Sequence, residues 1–124
     1  MRIFVDLDHT LCFPDESFGQ HRDKYRYAMP NAEIISRVNK WHRQGHEIVI
    51  YTARRMKTHN GDTTLVEEDV GQLTRNWLAE HRVTYDELMF GKPYYDMLID
   101  DKTCLPEIEA IENTILSGKL PELQ

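Results

Sequence analysis

The chain lacks any long apolar run: nothing in it approaches the ~20 consecutive apolar residues of a membrane span, so no membrane role is expected. It also lacks a basic surplus. Fifteen lysines and arginines stand against 21 aspartates and glutamates, a formal net charge of −6, and the basic footprint of a nucleic-acid binder is missing. Cysteine is scarce. Cys12 and Cys104 are the whole supply, with neither metal-ligand nor redox-motif spacing. The six histidines show no spacing that suggests zinc. There is no internal repeat, low-complexity tract or domain linker, and no charged-then-apolar leader ahead of the first apolar stretch. These absences predict one cytoplasmic domain over residues 1–124.

What is present is an ordinary globular balance, 40% hydrophobic and 29% charged, organised around Arg2-Ile3-Phe4-Val5-Asp6-Leu7-Asp8-His9-Thr10-Leu11. Ile3, Phe4, Val5 and Leu7 read as a buried strand. Two carboxylates follow where that strand ends. In extended chain, positions i and i+2 point the same way, so Asp6 and Asp8 converge. Such a pair is costly unless a cation or a shared proton relieves the repulsion.

Cys12 to Met29 has neither helical nor strand period and is expected to be a loop with a short hairpin, packed down by Tyr25 and Tyr27. Asn31 is the predicted N-cap of a helix carrying Ile34, Ile35, Val38 and Trp41 on one face and ended by Gly45. Glu47–Thr52 is the second strand. Capping-box spacing at Thr64–Glu67 opens a second helix, with Val66, Val70, Leu73 and Trp77 inward. Glu87–Phe90 is a third strand, broken by Gly91-Lys92-Pro93. Met97-Leu98-Ile99 is a fourth, again ending in paired acids, Asp100 and Asp101. Ile108, Ile111, Ile115 and Leu116 make a last helix, stopped by Ser117-Gly118. Alternating strands and helices define an α/β layer fold with ligands beyond the carboxyl ends of its strands.

Reactive side chains collect at those ends: Asp6 and Asp8, Thr52, Lys92, and Asp100 with Asp101. Carboxylates at one mouth make a hard oxygen site suited to Mg²⁺. Lys92, Thr52 and turn amides supply the positive charge and donors that a phosphate needs, reversing locally the acidic balance of the chain. A carboxylate is also a nucleophile at phosphorus. The chemistry indicated is Mg²⁺-assisted phosphoryl transfer through an aspartyl-phosphate.

Asp6-Leu7-Asp8-His9-Thr10 resembles the Asp-x-Asp-x-Thr signature of the haloacid dehalogenase (HAD) superfamily phosphatases, and Thr52, Lys92 and Asp100-Asp101 match its other three parts in order. Tyr-Thr-Ala-Arg at 51–54 and the run from Gly91 to Lys102 resemble the small members tied to capsule and surface-polysaccharide synthesis. The resemblance implies a Rossmann-like core, a parallel sheet of about four strands in the order 4-1-2-3 flanked by helices, and no cap domain. It implies Asp6 as nucleophile and metal ligand, Asp8 as general acid and base with its carbonyl on the metal, and Thr52 and Lys92 on the phosphate. Asp100 and Asp101 would complete the Mg²⁺ shell. Thr52, Ala53, Arg54 and Lys92 would line the substrate, with His9 standing where the family usually has Gly. Arg54 is evenly divided between binding the leaving group and pairing with an acid at a helix end. Tyr94 and Tyr95 are expected to pack.

The implied substrate is a small sugar or polyol phosphate in glycan-precursor synthesis. The alternatives are a nucleotide phosphatase or a phospho-accepting receiver-like regulatory domain. Receivers open with an adjacent acidic pair, and Asp8 has no counterpart there. With no cap, the site is closed by the loop Cys12–Met29 or by a second subunit in a homo-oligomer, or it stays open to a bulky substrate.

Overall fold

The computed structural model describes residues 1–120 and divides the chain into two compact units, Arg2–Tyr94 and a second holding Met1 and the residues from Tyr95 onward. The first unit is built on a parallel sheet of three strands, β1 (Arg2–Val5), β4 (Glu47–Thr52) and β5 (Glu87–Phe90), in the order β1-β4-β5. Ile3 lies opposite Ile48 and Val5 opposite Ile50, while Tyr51 lies opposite Met89. The central strand is the most apolar, because a parallel strand with neighbours on both edges and helices over it meets no water. Ile48, Val49 and Ile50 are fully buried, together with Leu7 and Leu11 from the turn after β1.

The segment between β1 and β4 opens as a hairpin, β2 (Cys12–Phe13) against β3 (Met29–Pro30). Between its arms lie a 3₁₀ turn at Glu16–Phe18 and the single-turn helix α1 (Asp23–Arg26). Tyr25 is buried and anchors this loop, whereas Tyr27 stays exposed and stacks on Phe18 at 5.3 Å. Trp77 pins the loop from the other side, its indole N–H donating to the Ala28 carbonyl at 3.0 Å. Helix α2 (Ala32–Arg43) starts at Asn31, whose side chain accepts from the Ile34 amide. It buries Ile34, Ile35, Val38 and Trp41, and the chain leaves it through Gly45 at φ 93°, a left-handed geometry that glycine adopts without penalty.

Between β4 and β5 a continuous helical stretch runs through α3 (Thr63–Val66), a wide turn at Glu67–Gly71 and α4 (Gln72–Glu80). Its cap differs from the capping box expected at Thr64. The carboxylate of Asp62 accepts from the amides of Thr64 and Leu65. An Asp one residue ahead of the first helical turn satisfies two otherwise orphaned donors, so the helix begins there. Val66, Val70 and Trp77 are buried as the apolar stripe predicts.

In the second unit, α5 (Ile108–Ser117) ends as expected at Gly118, in left-handed geometry with its N–H on the Thr114 carbonyl. The fourth strand does not form. Met97, Leu98 and Ile99 have no regular structure and are 74%, 50% and 87% exposed. Apolar character alone does not make a strand, which needs a ladder partner for its backbone groups. Among the described residues the parallel sheet has three members. Tyr94 and Tyr95, expected to pack, are likewise exposed. No helix among the described residues is long and apolar enough to cross a membrane.

Candidate active site at the carboxyl ends of the strands

The chain turns sharply after β1. The Leu7 carbonyl accepts from the amides of Thr10, Leu11 and Cys12, and the His9 amide donates to the Cys12 carbonyl at 2.7 Å. Burying Leu7 between them leaves Asp6 and Asp8 half-buried on the opposite side, as an alternating backbone requires. His9 occupies the turn at φ 65°. Its exposed ring lies 6.4 Å from that of Phe13.

The neighbouring strands bring the other groups. The Lys92 amide donates to the Thr52 carbonyl at 3.1 Å, which carries the β4–β5 pairing past Phe90. The Lys92 ammonium then lies 3.8 Å from Asp6 Oδ1. Thr52 is buried, and its hydroxyl accepts from the Arg54 amide at 3.0 Å, closing the turn that follows β4. Ala53 sits half-buried in that turn.

Arg54 resolves in favour of an acid partner, and the partner is Asp8. Its Nε donates to Asp8 Oδ2 at 3.1 Å and its Nη2 to Asp8 Oδ1 at 2.7 Å, a two-pronged pairing. Nη1 donates to the Thr74 hydroxyl at 2.9 Å, and the Tyr25 ring lies beneath the guanidinium at 4.2 Å. Arg54 is only 4% exposed, its guanidinium held between Asp8, Thr74 and Tyr25. Next door, Asp69 takes His59 at 2.9 Å and Arg55 at 3.5 Å, tying the loop after β4 to the helical stretch. Thr74 and Tyr25 are members of the site that sequence reasoning misses. Neither spacing nor composition links them to Arg54, because the link passes through three separate elements.

Burial raises the pKa of Asp6 above its ordinary value of 3.8. The Asp8 charge adds to the rise, and Lys92 and the Leu7 amide oppose it. Burial and the Asp8 charge together push the Cys12 thiol far up, so it stays a protonated thiol that donates weakly to Asp8 at 3.4 Å. For Arg54 burial works against the charge, but Asp8 outweighs it and the pKa ends above its usual value.

Asp6 therefore carries a stability signature. Its folded pKa is raised, so the native state holds its proton more tightly than the unfolded chain. That contribution is present below the ordinary carboxylate pKa and is lost as pH climbs through the folded value. In metal-free protein at pH 7, Asp6→Asn is expected to raise the Tm slightly, by about 1–3 °C. The gain should vanish below pH ~4. Thermal unfolding of both proteins across pH checks this, and a Tm difference independent of pH would contradict it.

The sequence places Asp6, Asp8, Thr52 and Lys92 at one mouth, and adjacent parallel strands bring these four together with Arg54. Asp100 and Asp101 belong to the second unit, where both are exposed and the Asp101 amide donates to Asp100 Oδ1. Among the described residues no group of three or more His, Cys, Asp or Glu is arranged to hold a metal ion. Asp6 nonetheless suits a hard cation. It is a half-buried carboxylate with a second one, Asp8, two residues on, the hard oxygen donors that Mg²⁺ takes.

The fold and this strand-end cluster define an α/β protein with a parallel three-stranded sheet and helices around it. No protein-family profile matches the chain, and no curated protein does. Among solved structures, an MCSG target from Vibrio cholerae is 32% identical over 96% of this chain and all of its own, with a TM-score of 0.75. The chain belongs to the same family as that Vibrio cholerae protein. Two structures of the Pnkp1/Rnl/Hen1 complex, one described as an RNA repair complex, align at 17% and 16% identity with TM-scores of 0.52. This chain covers only 30% and 33% of those chains, and the likeness is one of fold alone.

Proposed function

We propose that the protein is a capless HAD-type phosphatase that hydrolyses a small phosphomonoester, a sugar or polyol phosphate, through an aspartyl-phosphate on Asp6. The observation that carries this reading is the Lys92 ammonium 3.8 Å from the Asp6 carboxylate, with Asp8 two residues on and the Thr52 turn on the strand between. A nucleophile, a second carboxylate and a phosphate-binding cation thus share one strand-end mouth.

Asp6 Oδ attacks phosphorus while the bond to the ester oxygen breaks, and the departing oxygen takes a proton by way of Asp8, which receives it from the phosphomonoester monoanion as its Arg54 pairing opens. Asp8 then takes a proton from water, the water oxygen attacks phosphorus, and the bond to Asp6 breaks to release inorganic phosphate. Lys92 and the donors of the turn at Thr52 and Ala53 hold the phosphoryl oxygens through both steps. For Asp8 to reach the ester oxygen, one prong of its Arg54 pairing has to open. Arg54 thereby becomes the residue that parks and aims the acid. Asp6 and the Asp8 carbonyl would hold Mg²⁺, and the resemblance gives Asp100 and Asp101 to the same shell. When bound, Mg²⁺ would neutralise charge on the transferring phosphoryl group. The sugar or polyol substrate, and a place in surface-polysaccharide synthesis, rest on the match at 51–54 and 91–102.

Phosphate release is the test, with Mg²⁺ and with EDTA, across sugar phosphates, polyol phosphates and nucleotides. Turnover that EDTA lowers by at least about 100-fold supports the reading and ranks the substrates. Release from none of them would overturn it.

A further inference from the structure

The stretch joining β5 to Met97 is too short for the strand it is supposed to deliver. The Lys92 amide is still bonded to Thr52, so only positions 93–96 are left to connect. A parallel strand on the outer edge of β1 must begin at the opposite end of the sheet from where β5 stops. The chain would have to cross β4 and β1 at ~4.8 Å per strand and also travel back a full strand length. Each connecting residue spans at most ~3.5 Å, and parallel crossovers take about a dozen residues or more because they must also clear the layer over the sheet.

Two further features of the same chain complement each other. The outer edge of β1 has no strand beside it among the described residues. Met97, Leu98 and Ile99 form a consecutive, highly exposed apolar triad, a pattern that folded chains avoid unless something covers it. A bare sheet edge and an unhoused strand in one sequence are the two halves of an exchanged element.

We infer that Met97–Ile99 pairs with β1 of a second copy of this chain, so that each active site takes Asp6 and Asp8 from one copy and Asp100 and Asp101 from the other. A two-fold axis accounts for the direction. Copies related by a two-fold axis perpendicular to the strands have sheets running oppositely, so a segment that reverses at positions 93–96 runs parallel to the other copy's β1 and ends at its catalytic mouth. The metal-ligand roles of Asp100 and Asp101 rest on the phosphatase reading, whereas the strand exchange rests on chain length and exposure alone.

The test is complementation between two inactive chains. Asp6→Asn and Asp100→Asn copies are each assayed with p-nitrophenyl phosphate and Mg²⁺, then unfolded together, refolded as a mixture and assayed again. Exchange predicts recovery to roughly a quarter of the wild-type rate, since half the dimers are mixed and each of those regains one intact site of two. A mixture no more active than its components, beside an active wild type, would overturn it.

A second measurement stands independently of activity. Phe4→Cys and Ile99→Cys are placed on separately tagged copies carrying Cys104→Ser, and a short bis-maleimide is added. A species of twice the chain mass carrying both tags supports the exchange even if no phosphate is released, in which case only the phosphatase reading fails. A mass of one chain in solution, or linkage only when both cysteines lie on one chain, would sink the exchange.

Discussion

Asp6→Asn is expected to lower phosphate release by at least about 10⁴-fold, the scale seen when a covalent nucleophile is removed. The amide is nearly isosteric, keeps the turn built on the Leu7 carbonyl and leaves Lys92 in place, so the loss reflects chemistry rather than folding. The carboxylate lies 3.8 Å from the Lys92 ammonium, and burial raises its proton affinity. Steady-state assays with Mg²⁺ measure the drop, with unfolding curves to show the fold intact. Residual activity within tenfold of wild type would remove Asp6 from the nucleophile's role. Stable labelling of wild-type Asp6 by a small phosphodonor, without turnover, would instead make the chain a phospho-accepting switch.

Arg54→Ala is expected to be strongly destabilising. It deletes both prongs of the Asp8 pairing, the donor to Thr74 and the cation over Tyr25 together. Breaking a buried ion pair by removing one member costs about 3–5 kcal/mol, because the other member is left uncompensated. Asp8 keeps some access to water, which favours the lower end. A loss near 3 kcal/mol corresponds to a Tm fall of roughly 10 °C for a chain of this size. The cause can be separated from simple loss of packing. Adding Asp8→Asn to Arg54→Ala should recover part of the loss, since the stranded charge is then gone, whereas Asp8→Asn alone should be costly. Strictly additive effects in thermal unfolding would mean that the two side chains do not act as a pair.

The elements legible in the sequence are those whose signals are local. Asn31 followed by a four-residue apolar stripe describes a helix without reference to anything else, and Glu47–Thr52 is apolar enough to be central in any sheet. Asp62 is hidden inside an apparent turn, because Asn60-Gly61-Asp62 serves both to reverse the chain and to cap the helix beyond it. The choice between substrate and acid for Arg54 cannot be made from spacing. Asp8 and Thr74 approach it from opposite directions in the chain, and only packing decides which meets it. Met97–Ile99 is the reverse case: its composition favours a strand, but a strand is a relation between two segments. Composition carries no information about where the second one is.

The turn at His9 also bears on how freely the two carboxylates move. A side chain held at φ 65° costs on the order of 1 kcal/mol relative to glycine, and such a penalty persists only where its surroundings over-determine it. Here it is held by Leu7, sunk in the core on one side, and by the Cys12 carbonyl on the other. The backbone just past Asp8 is therefore a spring under load rather than a relaxed hinge, and the load limits how far Asp8 can swing away from its place beside the turn.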